Sequence, residues 1–226
     1  MTKISIHQPV YLPWLGFFNK IALSDIFVFL DDVQYEKNGW QNRNKIRTSD
    51  GDMWLTVPVK TKFGMYLNQV QIDNTSNWIS KHKKSIMQNY SKSNYFNSYW
   101  NEFESIYNKK FKNLIDLNLN LIQLLLSEFG ISTKLLFSSD FHVEKQGSDR
   151  ILEICKILGC NHYLSGEGGM NYLNIDDFNK QNIEIEFQHF SHPIYKQVYS
   201  NFVPAMAAID LLFNEGEKSK NIVLNQ

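Results

Sequence analysis

ISIHQPVYLPWLGFFNKIALSDIFVFLDDVQY, residues 4–35, is the stretch that decides the fold. A short apolar run, Ile4 and Ile6, stops at His7-Gln8-Pro9, and a helix-period pattern starts three residues later. A second apolar run, residues 26–30, stops at Asp31-Asp32. The order is strand, polar turn, helix, strand, with ionisable residues where each strand ends. In open α/β sheets ligands bind in the crevice beyond the carboxyl ends of the strands. The stretch therefore reads as the start of a ligand-handling α/β protein.

Working outward, Leu12, Leu15, Phe18 and Ala22 recur near the helical period, with Pro13 placed in the first turn, where its missing N–H costs little. Residues 33–47 hold many amides and charges around Trp40 and read as an irregular loop or short hairpin at the sheet edge. Residues 53–59 read as a third strand ended by Pro58, and residues 69–72 as a shorter fourth. Three helical segments follow at 77–90, 95–111 and 114–129, the last with an apolar stripe through Leu114, Leu117, Leu121, Leu124 and Leu125 and a cap at Gly130. The alternation of strand and helix then returns: strand 135–138, helix 148–158, strand 162–164, strand 183–190, and a closing helix at 203–214. The final ten residues read as frayed. The expected architecture is one α/β domain over residues 1–226, with a mostly parallel sheet and a helical insertion at about 77–129.

Lys+Arg and Asp+Glu both number 23, so no overall field draws in nucleic acid or acidic membranes. The two cysteines, Cys155 and Cys160, are too few for a disulfide scaffold, and Cys155 reads as a small buried hydrophobe on a helix face. No run approaches the roughly 18 apolar residues of a membrane span. Met1-Thr2-Lys3 leads straight into a strand without a signal-peptide core, so a cytoplasmic protein is expected. The 11 Tyr and five Trp suit a stacking or sugar-binding pocket, and plain core packing equally.

Several motifs together resemble the WbqC-like family. They are His7-Gln8-Pro9 with Tyr11, Pro13-Trp14 and Gly16; Asp31-Asp32 with Gln34; Trp40-Gln41-Asn42-Arg43; Trp54-Leu55 with Val57-Pro58; Tyr163-Leu164-Ser165-Gly166; and Ile209-Asp210-Leu211-Leu212. The family is associated with bacterial gene clusters for O-antigen and other surface polysaccharides. The resemblance implies a transferase acting on a nucleotide-linked amino sugar, with acyl or aminoacyl (glycyl) transfer to the sugar amine as its most concrete form. A nucleotide or an activated acyl or aminoacyl donor would be the co-substrate. The alternatives are a non-catalytic nucleotide-sugar-binding or scaffolding protein of the same pathway, and activation of a small carboxylate by nucleotidyl transfer. The last follows a second resemblance, to the nucleotidyltransferase superfamily. It rests on a strand, His-x-Pro, a helix carrying Leu15-Gly16, and a strand ending in acids. It implies a Rossmann-like sheet; the superfamily's second histidine, expected near Trp14 to Gly16, is absent.

Residue by residue, His7 ends a strand beside a helix N-terminus, where it can take a proton or hold an anion; otherwise it only hydrogen-bonds its turn. Gln8 either fixes a ligand through its amide or satisfies the loop. Asp31 and Asp32 are adjacent, so on a strand they face opposite ways; one is a candidate base, ribose ligand or metal ligand and the other a cap or ion pair. Trp40, Asn42 and Arg43 combine a stacking plane, an amide and a planar donor for the pyrophosphate. Tyr11, Trp14 and Gln34 are further ligand-binding candidates. Ser165-Gly166-Glu167-Gly168-Gly169 offers backbone N–H groups to an anion but matches neither a phosphate-loop nor a dinucleotide fingerprint. Lys20 reads as a solvated lysine. His189 and His192 are three apart without an upstream carboxylate at fixed spacing, and no metal is assigned. The ligand is expected between the first turn and the Trp40–Arg43 loop, with Gly166 on the rim. Oligomeric state is open.

Overall fold

The structure, a computed structural model, describes residues 2–224. The opening stretch folds as β1 (Lys3–His7), α1 (Leu15–Ala22) and β2 (Ile26–Phe29), and β1 pairs β2 in parallel with His7 opposite Phe29. An antiparallel hairpin of β3 (Arg43–Thr48) and β4 (Gly51–Thr56) follows, then the short pair β5 (Val59–Lys60) and β6 (Gln71–Ile72). Three helices come next: α2 (Trp78–Tyr90), α3 (Phe96–Asn108) and α4 (Leu114–Glu128). The chain then returns to the sheet through β7 (Lys134–Phe137), α5 (Gly147–Ile157), β8 (His162–Ser165), α6 (Ile175–Lys180) and β9 (Glu184–Phe187). It closes with α7 (Ile209–Glu215) and α8 (Lys218–Leu224).

The five strands β7-β2-β1-β8-β9 form one wholly parallel sheet, a Rossmann-like α/β arrangement. The chain moves outward from β1 through β2 to β7, then crosses back to the other side of β1 for β8 and β9. Strand order therefore reverses between β1 and β8. Side chains alternate across the sheet as the pleat requires. Ile4, Ile6 and Val28 pack with Ile151, Ile154 and Phe178 of α5 and α6. Phe27 and Phe29 join the larger core on the opposite face with Phe18 of α1 and the three-helix insertion. Ser5 shares that second face, accepting a hydrogen bond at 2.7 Å from Ser24 just past α1.

The insertion forms because its apolar residues fall at helical spacing. Trp78, His82, Ile86 and Tyr90 are buried on α2, and Leu114, Leu117, Leu121 and Leu125 on α4. Gly130 ends α4 with φ 63°, the left-handed geometry a C-terminal cap needs.

Other expectations need correction. Pro13 lies before α1, whose N-cap is Trp14. The strand expected at 183–190 is confined to β9, and α6 was not anticipated. The helix expected at 203–214 starts only at Ile209, because Asn201 (φ 67°) and Ala205 (φ 59°) hold left-handed backbone that breaks a helix. The end expected to fray instead forms α8, whose Val223 is buried; residues 225 and 226 lie outside the described residues. Asp31 and Asp32 sit beyond the end of β2, so strand alternation no longer separates them.

Candidate functional site

A crevice opens where the strand order reverses, beyond the carboxyl ends of β1 and β8, as a doubly wound sheet dictates. It has two lobes that share His7, Trp14 and Phe17 as a common wall. The larger, about 580 Å³, is lined further by Gln8, Glu36, Trp40 and Tyr172. The smaller, about 270 Å³, is lined further by Gly16, Lys20, Gly166 and Glu167. A groove of about 780 Å³ along α2 is larger, but it runs past Ser80, Lys83 and Lys84, away from the strand ends.

His7 Nδ1 lies 2.8 Å from the carbonyl oxygen of Gln8. A carbonyl only accepts, so Nδ1 carries the proton and Nε2 keeps its lone pair. Burial, reinforced by the nearby Lys20 ammonium, pulls the imidazole from 6.5 down to about 3, so the ring is neutral. Its edge meets Phe17, ring centroids 5.4 Å apart, which fixes its plane. Lys20, one helical turn further along α1, is only 3% exposed. Its Nζ has a long contact of 3.5 Å to the carbonyl of Ile6. Desolvation lowers its amine from 10.5 to about 7.

A relay of amides orients Gln8. The Glu36 N–H donates to Gln41 Oε1 at 2.8 Å, so Gln41 presents its Nε2, which donates to Gln8 Oε1 at 2.6 Å. Gln8 is left with its Nε2 protons to offer. Two tryptophans flank the larger lobe, Trp14 at 39% and Trp40 at 53% exposure, a large apolar surface to leave in water. Trp14 stands edge-on to Phe190, and Trp40 leans on Trp54.

The family model for the WbqC-like protein family matches residues 8–222. The chain belongs to the WbqC-like protein family. It is also 35% identical over 223 residues to a Mycobacterium tuberculosis (strain ATCC 25618 / H37Rv) protein described as "Uncharacterized protein Rv1507c", covering 97% of this chain and 96% of that one. The matched region takes in every crevice residue named above except His7, which immediately precedes it.

Of the residues singled out in the sequence of this WbqC-like chain, His7, Gln8, Trp14, Trp40 and Gly166 line the crevice. Ser165 is buried behind it and turns its hydroxyl to the carbonyl of Gly166 at 3.0 Å. Tyr11 is fully buried elsewhere, its hydroxyl bonded to His82 Nδ1 at 2.9 Å and to Tyr107 at 2.5 Å. Asn42 spends its amide on the Val57 carbonyl at 2.8 Å. Arg43, expected on a pyrophosphate, instead lays its guanidinium over Trp54, 4.4 Å from the ring centre, and donates to the Asn38 carbonyl. Asp31 accepts from the Ser139 backbone at 3.0 Å and its hydroxyl at 2.7 Å, tying down the turn after β7. Asp32 pairs with Arg150 at 2.6 Å, and with Gln34 it lines a separate hollow of about 650 Å³ beside α5. Neither aspartate enters the crevice.

Among the crevice residues that the sequence did not assign to a site are Phe17, Lys20, Glu36, Tyr172 and Gln188. Glu36 and Tyr172 sit in segments without periodicity, where no sequence signal locates a side chain. The backbone of the segment before α7 is tied to both the hairpin and the first turn: the Ala207 N–H donates to the Lys45 carbonyl at 2.9 Å and the Ala208 N–H to the Pro13 carbonyl at 2.8 Å. His192 turns Nδ1 to the Pro193 carbonyl at 2.9 Å, and among the described residues no group of three or more His, Cys, Asp or Glu is placed to hold a metal ion. Among those residues no helix is long and apolar enough to cross a membrane.

Proposed function

We propose that the crevice is the active site of a transferase that places an acyl or aminoacyl group on the amine of a nucleotide-linked sugar used for bacterial surface polysaccharide. One observation carries this reading: a neutral histidine with a bare Nε2 stands beside an amide whose N–H groups are left to donate, in a chamber lined by two exposed tryptophans. Family membership supports the same role.

The chemistry needs a neutral amine, an acceptor for one of its N–H groups and a donor for the carbonyl oxygen. His7 Nε2 accepts and cannot donate, so it holds the amine rather than the oxyanion. Gln8 Nε2 supplies the donor. As the amine nitrogen bonds the carbonyl carbon, that nitrogen becomes cationic and passes a proton to Nε2. The resulting imidazolium is a strong acid, given how far its pKa is lowered. It returns the proton to the leaving group as the carbonyl–leaving-group bond breaks with its electron pair. The acyl donor is an activated ester or thioester. Trp14 and Trp40 offer flat faces to a sugar ring, and Glu36 offers a carboxylate to an amino sugar.

The test is product formation by mass spectrometry from amino-sugar nucleotides and activated acyl donors. His7→Ala is expected to lose at least a hundredfold in turnover while folding and ligand binding persist. A fully active variant overturns the mechanism. Binding of the sugar nucleotide with no product from any activated donor leaves a binding protein.

A further inference from the structure

Burying an amine is costly unless something compensates its charge, and Lys20 has no carboxylate on it among the described residues. Its surroundings are those of an anion. The lobe it lines begins at Gly16, in the first turn of the eight-residue α1, whose N-cap Trp14 makes no side-chain capping bond and whose first turn holds no acid. Such a helix end carries partial positive charge, although the Phe17 N–H is already bonded to the Trp14 carbonyl at 3.1 Å. Opposite are Gly166 and Gly168. A side chain at Gly166 would begin 3.8 Å from Lys20 Nζ, so its absence leaves the ammonium approachable from the crevice. The remaining ionisable groups facing this lobe are neutral His7 on β1 and the exposed Glu167 carboxylate after β8; Gln188, just past β9, is uncharged.

We propose that the smaller lobe is a phosphate subsite, with Lys20 Nζ as the counter-charge for the diphosphate of the substrate. The identity of the molecule that brings the diphosphate rests on the transferase reading; the anion site itself does not. The division of the crevice then follows: diphosphate against Lys20 and the Gly166 turn, sugar against Trp14 and Trp40, with His7 at the junction. Because the empty site holds Lys20 near its midpoint at neutral pH, anion binding draws a proton onto it. Affinity for a diphosphate of fixed charge therefore falls as pH rises above about 7.

Calorimetric titration with inorganic pyrophosphate tests this without any turnover. Wild type is expected to bind, and Lys20→Met to bind at least about tenfold more weakly, the loss of one charge-assisted contact. Met keeps the unbranched shape, one atom shorter, and removes a buried amine, so the variant should fold; a thermal melt checks it. Gly166→Ala, which leaves Lys20 intact but narrows its approach, should also weaken binding. At pH 8, repeating the titration in buffers of different ionisation heat should reveal more proton uptake in wild type than in Lys20→Met, pyrophosphate's own ionisation being common to both. Equal pyrophosphate affinity in wild type and Lys20→Met, or no binding by wild type at 10 mM, about the weakest useful affinity for such a subsite, overturns the proposal. Pyrophosphate binding through Lys20 without acylation of any amino sugar removes the transferase reading and keeps the anion site.

Discussion

Arg150 reaches back 118 residues to place Nη2 2.6 Å from the carboxylate of Asp32. This contact joins the first turn of α5 to the end of β2, while Ser138 at the end of β7 binds the same carboxylate. The Arg150 side chain is mostly buried, at 12% exposure, and among the described residues its Nε finds no hydrogen-bond partner. Asp32→Asn should therefore cost about 2–4 kcal/mol of stability, the penalty of a buried charge that loses its partner. Removing both charges in Asp32→Asn with Arg150→Met should restore much of it. Turnover per folded molecule should hardly change. A catalytic Asp32 would give the reverse, lost turnover at an unchanged melting temperature.

Acid should destabilise the protein through its histidines. His7 is lowered by burial to about 3 and His82 by burial to about 4, against 6.5 for a free imidazole. Below pH 6.5 the unfolded chain binds protons at these two rings that the folded chain refuses, so their contribution to stability falls as pH drops from 6.5 towards 4, and the half-buried His192, also lowered by burial, adds in the same direction. The slope approaches 1.4 kcal/mol per pH unit for each group, or roughly 2 kcal/mol each by pH 5. Denaturant melts from pH 5 to 7.5 measure it, and His82→Gln should remove about half of the slope. A stability profile flat across that range would contradict the burial of both rings.

Arg47 is fully buried and ties the β3–β4 hairpin to the segment before α7. Its Nη1 donates to the Gly51 carbonyl, and its Nη2 to the carbonyls of Ser200 and Asn201, all at 2.8 Å; Nε donates to Gln197 at 3.2 Å. Lysine cannot span these acceptors with one ammonium. Arg47→Lys should cost about 3 kcal/mol, and hydrogen exchange should speed up across residues 197–203 before it does in the sheet.

The strand ends were legible because a polar turn after an apolar run has a single reading, and His7, Gln8 and Gly166 came with them. The three successive helices α2, α3 and α4 were legible from their periodicity. Lys20 was not. A helical wheel assumes one solvated face, yet every residue from Leu15 to Ile21 of α1 is buried. The helix is enclosed by the sheet, the crevice and α8, with Asn19 donating to the Val223 carbonyl at 3.0 Å. The closing helix that does this enclosing had itself read as frayed, so the two errors have one cause. Arg43 was misplaced for a different reason: the pairing of Arg43 with Thr56 across the hairpin brings it beside Trp54, and cross-strand register is invisible to linear spacing.

The wall that the two lobes share has a bearing on which molecules can be accommodated at all. With Phe17 edge-packed on His7, the side chains that border both chambers are aromatic and held against one another. A change at Phe17 therefore alters two chambers at once, which makes that position the most economical place to reshape the crevice.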